Sequence, residues 1–175
     1  DKDACTKASD YSGCDVRQIT ELSSLCNKDF QAIHLGDVLE HLPNPRETLR
    51  QLISVLGKKG IIFIEGPLEI NPSLVYWSAK LFGNIKKVLR SNEQFGEPTH
   101  LIKVNEKTQL NFILNLDPRI QCLHWEVYET GWPYVNNGFL RNIIAQFAIL
   151  LGGKRFFSSI MGNRFRGIFT IQHSD

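Results

Sequence analysis

Four consecutive apolar residues, Ile61-Ile62-Phe63-Ile64, stand between Gly60 and Gly66-Pro67. No polar position interrupts the run, so the strand it predicts must be covered on both faces. Strands buried in this way belong to parallel sheets, whose crossover connections lay helices over the sheet. The flanking sequence fits that demand. Phe30 to Leu35 alternates as another strand, and Gly36-Asp37 closes it. Between the two, a helical segment from Val38 is interrupted at Pro43, and Asn44-Pro45 supplies a cap followed by a first-turn proline. Leu49, Leu52, Ile53 and Leu56 then recur at the spacing of one buried helix face, with Gly57 expected to end it.

Downstream, Pro72 to Arg90 predicts a helix with Leu74, Trp77, Leu81 and Ile85 on its apolar side. Ser91 to Pro98 is polar and reads as a loop. Asn105 caps a helix carrying Leu110, Ile113 and Leu114, stopped by Asp117-Pro118. Ile120 to Tyr128 and Gly167 to Gln172 alternate as strands, with an apolar helix over Phe139 to Leu151 between them. Upstream, Tyr11 to Val16 reads as a short strand, Ile19 to Leu25 as a weak turn, and residues 1–10 as a flexible lead-in. Alternating strands and helices predict a single α/β domain over 1–175, with helices on both faces of a mostly parallel sheet. The long excursion between the last two strands predicts an antiparallel strand at the sheet edge.

Composition narrows the function. Twenty Lys and Arg against 18 Asp and Glu leave a net charge of +2, too balanced for a partner held by bulk attraction, so nucleic acid is disfavoured. No apolar run approaches the ~20 residues of a membrane span. Four widely spaced cysteines, without a C-x-x-C pair, suit free thiols in a reducing compartment, and a cytoplasmic location is expected. Gly57-Lys58-Lys59-Gly60 and Gly152-Gly153 do not follow a strand and open a helix as a nucleotide-binding loop must.

The stretch Asp29-Phe30-Gln31-Ala32-Ile33-His34-Leu35-Gly36-Asp37-Val38-Leu39-Glu40-His41-Leu42-Pro43-Asn44-Pro45 resembles class I S-adenosylmethionine-dependent methyltransferases. These proteins carry an FDxI strand, a VLEHLxxP run, a helix and then VLKPGG before an apolar strand. Val55-Leu56-Gly57-Lys58-Lys59-Gly60 stands in that last place, and His100 ahead of the Asn105 helix is similar to a later segment in one branch. The likeness runs from Tyr11 to Gln172 and is strongest from Phe30 to Pro67. It implies a partial Rossmann-like methyltransferase sheet, S-adenosylmethionine as cofactor, and methyl transfer to an acceptor that the sequence leaves unidentified, with small molecules and lipid-like compounds in view.

Site residues follow from the same resemblance. Asp15 takes the place of an acidic residue beside the adenine, where a carboxylate accepts from the amino group; as a plain residue it reads equally as a turn cap. Gly36 and Asp37, at the C-terminal end of a parallel strand, line the cofactor pocket, although Asp37 reads equally as a helix cap. Helical spacing gathers Asp37, Glu40 and His41. Small-RNA and ubiquinone-pathway O-methyltransferases that use a metal carry a similar acid-x-x-Glu-His pattern, the former with a later histidine that His100 matches. The same Glu-His pair is widespread in members without metal, so no metal ligand is assigned. His41 is expected to serve as a general base, for which an imidazole reference pKa near ~6.5 is suited, and His100 to orient a substrate.

Only ten residues precede Tyr11, so the family's first strand, glycine-rich loop and second strand have no counterpart. The resemblance therefore implies the C-terminal two-thirds of such a domain and weak or no cofactor binding by this stretch alone. A non-catalytic, truncated or degenerate module that self-associates through its open sheet edge is the competing expectation. One further pattern stands apart. From Gly138 to Thr170 there are five basic residues and no acidic one, around an apolar helix, a combination suited to an anionic membrane surface or to a solvated basic face.

Overall fold

The computed structural model describes residues 1–18, 24–25, 29–89 and 100–172. In chain order these form α1 (Lys2–Ser12), β1 (Phe30–Gly36), a single 3-10 turn (Leu39–His41), α2 (Pro45–Ser54), β2 (Leu56–Pro67), α3 (Leu74–Leu89), α4 (Glu106–Leu114), β3 (Ile120–Tyr128), α5 (Phe139–Leu151), β4 (Arg155–Phe156), β5 (Ser159–Ile160) and β6 (Arg164–Ile171). The main sheet has the order β1-β2-β6-β3, and β4 and β5 make a separate small hairpin. β1 and β2 are parallel, whereas β6 is antiparallel to both β2 and β3. Three strands thus share a direction and β6 opposes them. The expected antiparallel pair closes one side of the sheet, with β3 outermost and β6 one strand inside.

The apolar run forms the strand expected but is fully buried on one face only, with Ile61 and Phe63 on the other face partly covered. Ile62 and Ile64 are 4% and 1% exposed and lie in one core with Leu49 of α2, Ile113 of α4, and Phe169 and Ile171 of β6. α2 and α4 each begin at a side-chain cap. The Asn44 side chain accepts from the Glu47 N–H at 3.4 Å, and that of Asn105 from the Thr108 N–H at 3.0 Å. These bonds satisfy donors that a first helical turn otherwise leaves open.

Other expectations are corrected. Tyr11 lies in α1, so the Tyr11 to Val16 strand does not form and residues 2–10 are helical. Asp1 accepts from the Asp3 N–H at 3.0 Å, Gly13 closes the helix in the left-handed region, and these end signals override a short, mixed apolar run. α2 stops at Ser54 rather than Gly57, because Leu56 to Gly60 joins β2. A Cβ on Gly60 would stand 2.7 Å from the Phe30 carbonyl oxygen, so this glycine permits the close approach of β2 to β1, where the register jumps from Phe30–Leu56 to Ala32–Ile61. In α3 the apolar side is not Trp77 and Leu81, which are exposed; Val75 turns inward against Tyr134, Ala145 and Ala148. β6 begins three residues earlier than the Gly167 expected, at Arg164. The turn expected over Ile19 to Leu25 and the loop over Ser91 to Pro98 lie largely or wholly outside the described residues. Among the described residues no helix is long and apolar enough to cross a membrane, and Cys5, Cys14 and Cys122 are free thiols.

Candidate functional site

Strand direction decides where side chains of distant origin meet. The C-terminal ends of parallel β1 and β2 reach one edge of the sheet, and the opposed β6 starts at that edge. Gly36 pairs with Glu65, and Pro67 with Arg164. A cavity of about 640 Å³ opens there, lined by Asp37, Glu40, His41, Glu69, His100 and Arg164 among others. Ligands of open α/β sheets bind at such carboxyl ends.

The corner after β1 is bent sharply. Asp37 has φ 51°, a left-handed conformation that few residues other than glycine adopt readily, Asp and Asn among them. Its N–H donates to the Glu65 carbonyl at 3.1 Å, and its Oδ1 accepts from Arg164 Nη2 at 2.6 Å. Arg164 Nε also donates to the Tyr128 hydroxyl at 3.3 Å. Burial pulls against the charge of the Arg164 guanidinium, but its bonds to Tyr128 and Asp37 outweigh that and hold its pKa above the ordinary value.

The 3-10 turn that follows presents Glu40 and His41. Glu40 is buried and His41 exposed. The Leu101 N–H donates to the Glu40 carbonyl at 2.9 Å, which seats the segment beginning at His100 against this turn. The His41 and His100 rings then meet edge to face with centroids 4.9 Å apart. His100 Nδ1 bonds to Glu69 Oε1, and Lys103 Nζ stands 3.7 Å from the other oxygen of Glu69. One donor atom each from Glu40, His41 and His100 lies within 4.8 Å of the others.

Of the residues singled out from sequence, Asp37, His41 and His100 come together on the cavity wall. Gly36 sits at the corner behind it, where a Cβ would meet the His34 ring at 3.2 Å. Asp15 does not line the cavity; it follows α1, and its carboxylate holds Arg17 at 2.7 Å. Glu69 and Arg164 were missed. Glu69 lies just past the Gly66-Pro67 end of the buried strand, the same edge as Gly36-Asp37, which was a usable signal. Arg164 carried none, because only the antiparallel course of β6 brings it there.

A family model described as "Methyltransferase domain" matches residues 5–114. Among solved structures, the chain is similar to the small RNA methyltransferase HEN1, with 11% identity, a TM-score of 0.50, and coverage of 95% of this chain and 18% of that one. It is also similar to the plantazolicin methyltransferase BamL in complex with a triazolic desmethylPZN analog and SAH, with 12% identity, a TM-score of 0.50, and coverage of 95% and 64%. A SAM-dependent methyltransferase from Archaeoglobus fulgidus shares 19% identity at a TM-score of 0.49, with coverage of 88% and 64%. The chain thus spans less than two thirds of the length of each. No curated protein matches. Identities this low speak to the fold.

Proposed function

Since the chain belongs to the methyltransferase-domain family, we propose that the cavity at the β1–β2–β6 edge is where a methyl group passes from S-adenosylmethionine to a protonated nucleophile, with His41 and His100 handling the proton. The observation that carries this reading is the convergence of Glu40, His41 and His100 on the wall that begins at Asp37. The residues present fit the cofactor: open volume lies beside Asp37 at the strand ends, with Leu68, Val75 and Tyr76 as apolar walls and Ser73, Thr130 and Asn163 as polar partners. The cofactor, when bound, supplies an electrophilic methyl on a sulfonium that leaves as a neutral thioether.

The chain supplies placement and proton transfer. Leu68, Val75, Tyr76 and Pro133 give the cavity apolar walls, which exclude water and favour an acceptor with an apolar body. The nucleophile's proton passes to an imidazole, while the Glu69 bond to His100 Nδ1 fixes that ring and directs its other nitrogen elsewhere. Alignment of nucleophile and methyl is the larger part of such catalysis. With labelled S-adenosylmethionine and a panel of hydroxylated small molecules and lipids, His41→Ala and His100→Ala should each lower turnover by about 10²-fold or more, with cofactor affinity little changed. Unaltered turnover contradicts the proposal.

A second reading rests on the 4.8 Å grouping of donor atoms. One carboxylate and two imidazoles suit a divalent cation, which would polarise an acceptor oxygen and ease its deprotonation. Glu40, His41 and His100 would hold it. Turnover that survives exhaustive chelation favours the metal-free reading; turnover lost to a chelator and restored by manganese favours the cation.

A further inference from the structure

α5 is turned the wrong way round for a helix on a water-exposed surface. Its buried residues are small, Ala145 and Ala148, packed with Val75 and Tyr134. Its large apolar residues, Phe139, Leu140, Ile143, Phe147 and Leu150, are exposed, Phe139 by 84% and Leu150 by 63%. At about 100° per residue they fall within roughly 100° of arc, opposite the alanines. A contiguous apolar stripe this long marks a surface that meets something other than water.

Beyond the end of α5 the β4–β5 hairpin continues the pattern. Its turn carries Phe157, which is 89% exposed and held at φ 53°, a conformation costly for a bulky residue. The ring packs edge to face on Phe156, with centroids 4.7 Å apart. Two aromatics thus form the tip of a two-residue-per-strand hairpin, paired through Arg155–Ile160 and Phe156–Ser159.

The charge around these rings is of one sign. No acidic residue occurs from Gly138 to Thr170, and the exposed Lys154 and Arg155 adjoin the tip, while Arg141 lies on the other side of α5 against Tyr134. α3, which packs against α5, likewise has no acidic residue, and its Lys80 is exposed. An apolar stripe that leads into an aromatic tip bearing cations and no anion is complementary to an interface with hydrocarbon below and anionic headgroups above. The loop carrying Trp132, on the cavity wall and exposed, also abuts α5: a Cβ on Gly131 would stand 3.0 Å from that of Ala145.

We infer that α5 and the Phe156–Phe157 hairpin tip form a docking face for an anionic lipid bilayer. The aromatic and aliphatic side chains enter the headgroup boundary, and the basic residues meet the lipid phosphates. This face is separate from the histidine cluster, so the inference stands or falls independently of the methyl-transfer reading.

The test is co-sedimentation of the full chain with large unilamellar vesicles, either pure phosphatidylcholine or phosphatidylcholine with roughly a third phosphatidylglycerol. The chain should bind the anionic vesicles at low salt, at least about tenfold more tightly than the neutral ones, and weaken as salt rises. Phe147→Ser with Phe157→Ser should reduce that binding about tenfold or more. Arg155→Glu should weaken binding to anionic vesicles specifically. Both variants alter exposed residues, and an unchanged far-ultraviolet spectrum and melting temperature establish that they fold. Absence of vesicle binding overturns the inference, as does binding that the aromatic variant leaves intact. Concentration-dependent dimers that the same variant dissolves, without lipid binding, would assign the face to a second copy and equally overturn it.

Discussion

Arg164 Nη2 lies 2.6 Å from Asp37 Oδ1, a bond that joins residues 127 positions apart and fastens the start of β6 to the turn that ends β1. Because Asp37 is about half exposed, with 51% of its side chain accessible, the pair is partly screened. Asp37→Asn keeps a residue that tolerates the left-handed turn, and Arg164→Met keeps the aliphatic stem. A double-mutant cycle in urea should give a coupling of about 1 kcal/mol or less. Coupling several times larger would mean that the pair is more deeply desolvated than its exposure indicates.

Much of this architecture is legible in the residues themselves. Ile61 to Ile64 announces a strand, although only its Ile62–Ile64 face is fully buried, and Asn44 and Asn105 mark helix starts that their side-chain bonds confirm. These signals are local, and local chemistry is what sequence patterns report. The misses have a common cause. Trp77 and Leu81 look like a buried stripe only until α5 is seen to pack on Val75 instead. Arg164 enters the site through the reversed course of β6, a tertiary fact without local trace. His100 is visible as a residue, yet its meeting with His41 depends on one backbone bond from Leu101 to Glu40.

Glu129 gives the fold a definable pH dependence. Burial raises its pKa above the ordinary 4.5, against the lowering effect of bonds from the Gly131 N–H and Ser73. A carboxyl with a raised folded-state pKa binds its proton more tightly when folded. Its stabilising contribution is therefore complete below 4.5 and is lost as pH rises through the folded value. Glu129→Gln should flatten this part of the stability–pH curve, measured by thermal melts from acid to neutral pH. An unchanged curve contradicts the assignment.

Asn71 braces three segments at once. Its Nδ2 donates to the Ile160 and Gly162 carbonyls, both at 2.8 Å, and its Oδ1 accepts from the Glu106 N–H at 3.1 Å. Asn71→Leu leaves those backbone groups buried without partners and should cost about 3 kcal/mol in chemical denaturation. A loss under about 1 kcal/mol would show that the groups find other partners.

Leu49 of α2 and Ile113 of α4 lie in one core, on the sheet face that carries Ile62 and Ile64, and are 1% and 2% exposed. Either one replaced by alanine should cost about 2–5 kcal/mol, since both the transfer energy and a cavity are lost. Equilibrium unfolding measures this directly, and a near-neutral effect would mean that the layer of α2 and α4 on this face of the sheet repacks freely.

The central claim is that the cavity beside Asp37 holds the cofactor next to His41 and His100. Its most direct test is the histidine ring spectrum of the ¹³C-labelled chain during titration with S-adenosylhomocysteine to millimolar concentration, which detects even weak binding. The ring signals of His41 and His100 should shift and saturate together, while those of His124, on the outermost strand, stay in place. Saturating shifts elsewhere, or none at His41 and His100, would contradict the account.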